Sequence, residues 1–152
     1  MKYAVFLLSL VSQLAHADLI EKNQSEYWNV DGLAHYVRSK ENERFSAQLV
    51  SIGQNRSVVA FSEANDFCYQ GGETKKVKVH YQWVKYVRHC SSGNGYWIPQ
   101  SQRGIDFVKQ QFSANGDVIV IFSNTTYSFT TKKFTSVKQR WEYTLQTLGD
   151  AL

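Results

Sequence analysis

Cys68 and Cys90 are the residues whose chemistry is most readily assigned. An even pair of cysteines downstream of an export signal is most simply a disulfide, because an oxidising compartment drives thiols to pair. Closing that loop removes about 3.4 kcal/mol of unfolded-state entropy on the chain-entropy account. A reactive thiol would instead need a general base. The adjacent His89 points to the opposite face if this segment is a strand. His35, His80 and His89 form neither an HExxH motif nor any close metal-ligand spacing. There is no Gly-x-Ser-x-Gly elbow to hold a nucleophilic serine. Glu63, Asp66 and Glu73 cluster around the Phe67–Gly72 turn region, where solvated loop acids are ordinary. Glycoside hydrolysis would need two carboxylates flanking a cleft. Gly71-Gly72 and Gly93-Asn94-Gly95 lack the lysine and the following helix of a phosphate loop. The sequence thus predicts no catalytic residue, no metal site and no cofactor.

Charge and aromatic residues carry the stronger signal. Thr74 to Ile105 contains no Asp or Glu, yet it holds Lys76, Lys78, Lys85 and Arg88. Asp18 to Glu73 carries a net −4, whereas Thr74 to Trp141 carries +9. Two readings follow from this asymmetry. In one, the two halves face each other and partly neutralise. In the other, the second half builds a basic surface suited to an acidic partner. The 4 Trp, 9 Tyr and 9 Phe exceed what a core of this size requires. Tyr96-Trp97 adjoins a Gly-rich loop and Pro99, and neighbouring strand residues point to opposite faces. An exposed aromatic there, near Lys85, Arg88 and Arg103, could stack on a sugar or base or anchor a protein interface. Alternatively, both rings pack beneath the loop.

The elements that must position these residues begin after a targeting segment. Lys2, the apolar stretch Ala4–Leu14 and Ala15-His16-Ala17 read as a cleavable signal peptide over residues 1–17. The expected location is periplasmic or secreted. Residues 18–152 form a chain of single-domain length without repeats or linkers, and Pro99 is its one proline. Its longest apolar run, Val118–Phe122, is a buried strand and far too short for a transmembrane segment. Phe45–Ile52 and Ser57–Phe61 read as a hairpin across Gly53–Arg56. Tyr27–Val37 is either a weak hairpin around Asp31-Gly32 or one irregular strand. Val77, Val79, Tyr81 and Trp83 alternate with polar residues. A single strand to Cys90 would be unusually long and would move Lys85 to the face of Val79 and Tyr81. A turn or bulge near Tyr81–Trp83 repairs both problems. After a loop at Ser91–Gly95, Tyr96–Ile98 is a short strand. Ser101 then caps a helix whose stripe is Ile105, Val108 and Phe112, closed by Asn115-Gly116. Thr126–Phe134 pairs with Val118–Phe122, with Asn124 in the turn. A final helix, Ser136–Leu148, buries Val137, Trp141, Leu145 and Leu148.

The sum is an α+β fold: a mainly antiparallel sheet with two packed helices in a single disulfide-bonded domain. The expected function is a non-catalytic exported binding protein of inhibitor, immunity or adaptor type. Its partner would be another protein or an acidic envelope polymer, with nucleic acid disfavoured. The candidate binding residues are Lys76, Lys78, Lys85, Arg88, Tyr96 and Trp97. The alternatives are an assembly subunit of an envelope machine or a small secreted hydrolase. The helix phase yields a direct test by chemical denaturation. Phe112→Ala should cost about 3–5 kcal/mol by opening a core cavity, while Gln110→Ala should change little. Equal costs would mean that the helix is rotated.

Overall fold

The structure, a computed structural model, describes residues 24–53 and 56–150. The predicted signal peptide lies outside the described residues. In chain order the elements are β1 (Asn29–Asp31), β2 (Ala34–Arg38), β3 (Phe45–Ile52), β4 (Arg56–Glu63), β5 (Thr74–Val79), β6 (Gln82–Ser91) and β7 (Asn94–Pro99). Helix α1 (Gln102–Ser113), β8 (Asp117–Phe122), β9 (Thr125–Thr130) and helix α2 (Phe134–Asp150) complete the chain. All strand pairs are antiparallel, in one sheet of order β1-β2-β3-β4-β7-β6-β5-β8-β9. The protein is an α+β fold closed by a Cys68–Cys90 disulfide, with the two Cα atoms 5.3 Å apart. No helix among the described residues is long and apolar enough to cross a membrane.

Turn chemistry sets the register. The weak hairpin is real: Asp31 pairs with Ala34 across Gly32, which sits at φ +56° where a side chain would be strained. Ser92-Gly93 and Ser123-Asn124 both place their two central residues at positive φ, as tight two-residue hairpin turns demand. The expected loop at Ser91–Gly95 is therefore mostly strand, with Ser91 pairing Asn94. The turn or bulge expected near Tyr81–Trp83 is a turn at His80–Tyr81, with Val79 paired to Gln82. Ser101 caps α1, its hydroxyl accepting the Gly104 amide at 3.1 Å. Phe134, expected in the last strand, instead opens α2 with its ring fully buried. Leu148, expected on the buried face of α2, is 55% exposed.

One sheet face, here the inner face, carries Phe45, Ala47 and Leu49 of β3 and their partners Phe61 and Val59 of β4. The sheet coils until this face meets itself. Phe45 lies 4.1 Å from the Tyr127 ring, 5.1 Å from Phe122 and 5.9 Å from Phe129, although β3 and β9 are far apart in strand order. Phe61 stacks on Tyr86 and Phe129. At one end Trp28 packs edge-on against Phe112 of α1 and Phe134 of α2, and its indole donates to the Thr130 carbonyl at 3.1 Å. Val108, Val137, Trp141 and Leu145 extend this core from the two helices. Much of the aromatic surplus is consumed here.

The outer edge of β9 is sealed by side chains. The Glu41 carboxylate accepts the Ser128 amide at 2.7 Å and also the Ser128 hydroxyl, and Ser39 donates to it at 2.8 Å. The Lys40 amide reaches the Ser128 carbonyl at 3.0 Å. These bonds satisfy edge groups that would otherwise invite another strand. Partial burial pushes the Glu41 carboxyl upward, but the hydrogen bonds from Ser128, Ser39 and its own amide outweigh it and hold the pKa below the usual 4.5. The clasp is therefore strongest when Glu41 is ionised. Its contribution to stability should be present above about pH 4.5 and be lost as pH falls through the lowered folded value. Thermal melts of wild type and Glu41→Gln should differ at pH 7 and converge as acid protonates Glu41. A gap that persists unchanged at pH 3 would contradict the clasp.

Candidate functional site

The turn at His80–Tyr81 decides which side chains reach solvent together. Because β6 restarts at Gln82, Lys76 of β5 stands opposite Lys85 of β6, and Lys78 stands opposite Trp83. Paired residues share a face, so these four lie together on the outer face. Cross-strand neighbours are about 5 Å apart, and successive same-face residues along a strand are about 7 Å apart. Trp83 is 55% exposed, and the Lys78 ammonium lies 5.8 Å from its ring centroid. Arg103 joins from the start of α1. A groove of about 270 Å³ runs between β6 and this helix, lined by Trp83, Lys85, Ser101, Arg103 and Phe107. None of Lys76, Lys78, Lys85 or Arg103 belongs to an ion pair among the described residues. Trp83 escaped the sequence reading because alternation with Val77 and Val79 assigned it to the buried face. The conflict in Lys85's parity was the signal that could have found it.

Arg88 and Trp97 lie on the inner face and are separated from this group. They face one another across β6 and β7, and Trp97 is buried. Arg88 pairs with Asp66 and lies 3.8 Å from Glu73. Gly95 leaves room for that pair, since a Cβ there would sit 2.5 Å from the Asp66 carboxylate. The Lys75 ammonium lies 4.5 Å from the centroids of both the Trp97 and Phe122 rings and donates to Ser123 at 2.8 Å. Part of the positive charge of the second half is thus spent inside the fold. The Arg88 contacts also clamp the loop that carries Cys68. The Cys68 amide donates to the Gly93 carbonyl and the Gly72 amide to that of Arg88, both at 2.9 Å. On this loop Phe67 and Tyr69 are 69% and 93% exposed.

Tyr96 points the other way from Trp97 and is half-buried on the outer face opposite His89. It helps line a trough of about 620 Å³ that crosses β2, β3, β7 and β6. Val50, Ile52 and Ile98 supply apolar walls, and the fully buried Val58 and Ala60 belong to the same apolar cluster beneath them. The histidines are dispersed: His35 is buried against Trp141, His80 sits in the β5–β6 turn, and His89 rims the trough. Among the described residues no group of three His, Cys, Asp or Glu could hold a metal ion. Besides Glu41, the Tyr86 hydroxyl is displaced: complete burial pushes its pKa well above 10, and it has no hydrogen-bond partner. The two groups do not share a pocket. No known protein family, curated protein or solved structure matches this chain.

The contrast between the tryptophans is measurable. Among Trp28, Trp83, Trp97 and Trp141, Trp83 alone is exposed, and cations surround it. Iodide should quench one accessible tryptophan component, and Trp83→Phe should abolish that quenching with little change in thermal stability. Trp97→Ala should instead cost about 3–5 kcal/mol by emptying a core position. Iodide quenching that survives Trp83→Phe would refute the strand parity set by the turn.

Proposed function

We propose that this protein is a non-catalytic exported binding protein that recognises an acidic macromolecular partner through the outer face of β5 and β6. The observation that carries this reading is the set Lys76, Lys78, Lys85 and exposed Trp83 on one face, with no carboxylate among the described residues paired to any of the lysines. Two lysines directly opposite each other repel, so the arrangement weakens the free fold locally. An anionic partner relieves that repulsion on binding. Trp83 supplies a rigid aromatic surface of the kind that anchors interfaces or stacks on sugar rings. An extracytoplasmic location is supported by the disulfide, which persists most readily in an oxidising compartment.

A second reading, an assembly subunit, draws support from Phe67 and Tyr69. Both rings are exposed on a loop fixed by the disulfide and the Arg88–Asp66 pair, so ordering them at an interface costs little entropy.

Charge reversal tests the leading reading. Lys76→Glu with Lys78→Glu should weaken and slow association with the partner captured from the native envelope or medium, while hardly altering the melting temperature. The wild-type interaction should also weaken as salt rises, because exposed charges are screened within about 10 Å at 0.1 M. Affinity that ignores both charge reversal and salt would remove the lysine face from the account.

A further inference from the structure

Strand pairing sets the trough residue Ile98 and the lysine face on the same side of the sheet. Ile98, in the trough wall, pairs with Val87 across β6 and β7. Lys85 follows two residues away on the same face as Val87, and Lys76 stands opposite it. A diagonal neighbour in a sheet is about 7–8 Å away, so the apolar wall ends where the ammonium groups begin. The trough volume of about 620 Å³ falls within the usual range for small-molecule sites, roughly 300–1,000 Å³. Leu33, 75% exposed, stands at its far rim, where an isolated apolar side chain gains nothing from water. Past Ala34, Gln48 and Tyr96, which line both, the surroundings change. There a smaller polar groove has Arg38 and Arg44 balanced by Glu43 and Glu63, so it offers no net attraction for an anion.

We infer that this surface binds a single-chain anionic amphiphile. The apolar chain lies in the trough against Val50, Ile52, Tyr96 and Ile98, and the charged head rests on Lys85 and Lys76. The trough selects for length and apolarity. The lysines select for a carboxylate, sulfate or phosphate head, because among the described residues the trough walls carry no Lys or Arg of their own. This inference rests on reading the lysine face as an anion-binding surface, and it adds the chain-binding half that the acidic-partner proposal lacks.

The test uses dansylaminoundecanoic acid below its micelle concentration, its uncharged methyl ester, and polyglutamate, which carries charge without a chain. The acid should bind saturably with enhanced dansyl emission. Leu33→Asp, at a rim position too exposed to disturb folding, should weaken both acid and ester about tenfold. The Lys76→Glu, Lys85→Glu variant should weaken the acid about tenfold and leave the ester unchanged. If polyglutamate binds with salt sensitivity but the acid does not bind, or binds without regard to Leu33→Asp, the amphiphile site is overturned and the lysine-face reading stands. If charge reversal affects neither polyglutamate nor the acid, the lysine-face reading fails and takes the site with it. Binding to anionic phospholipid vesicles in the absence of monomer binding would assign the face to a bilayer surface and overturn the site as stated.

Discussion

Closure of the sheet on its inner face is the constraint on which the rest of this molecule depends. Phe45 touches Tyr127, Phe122 and Phe129 from across the core, and Phe61 bridges Tyr86 and Phe129. These rings bind together the first four strands and the last two, which the hydrogen-bonded ladder links only through intervening strands. Coiling of this kind follows from strand twist, and large rings fill the space between the approaching halves. The helices complete the job at one end, where Trp28 is wedged between Phe112 and Phe134. The edge that coiling leaves on β9 is then managed by Glu41 and Trp28, whose side chains take the place of a neighbouring strand.

A second constraint acts on charge. The chain places many cations in its second half, and the fold sorts them into two populations. Lys75 and Arg88 are used internally, one against the Trp97 and Phe122 rings and the other against Asp66. Lys76, Lys78 and Lys85 are left outward without counter-ions among the described residues. The sorting follows directly from strand alternation: Lys75 and Lys76 are neighbours in sequence and point to opposite faces. The outward lysines repel each other, which is a cost that folding alone does not require. On the proposed reading, a partner that supplies negative charge offsets it.

Much of this was legible in the residues. The hairpins, the helix cap at Ser101, the stripe Ile105, Val108 and Phe112, and the buried strand Val118–Phe122 all follow from local periodicity and turn preference. Such features depend on contacts close in sequence. The Cys68–Cys90 pairing was legible because two cysteines admit a single intramolecular connection. Boundaries were less so: Phe134 is apolar in either a strand or a helix, and only its burial beside Trp28 and Phe112 decides between them. Leu148 fits the helical stripe, yet it is exposed on the last turns of α2.

The candidate site was half visible. Lys76, Lys78 and Lys85 were singled out by the absence of acids around them, and alternation then kept two of them together. Trp83 was hidden, and Arg88 was grouped with the lysines, because a single turn inverts the face of every residue after it, whereas Trp97 was singled out with Tyr96 by the adjoining Gly-rich loop. That turn has neither Gly, Pro nor Asn-Gly, so His80 enters the left-handed region at φ +51° without a local signal. It is held from outside, by the His80 amide donating to the Ile119 carbonyl of β8 at 2.7 Å. By itself, then, the sequence determined the fold class, the disulfide and the charge asymmetry, since these reside in composition and short-range pattern. Tertiary structure alone decided which charges face water together, because that depends on a bond between residues 39 positions apart.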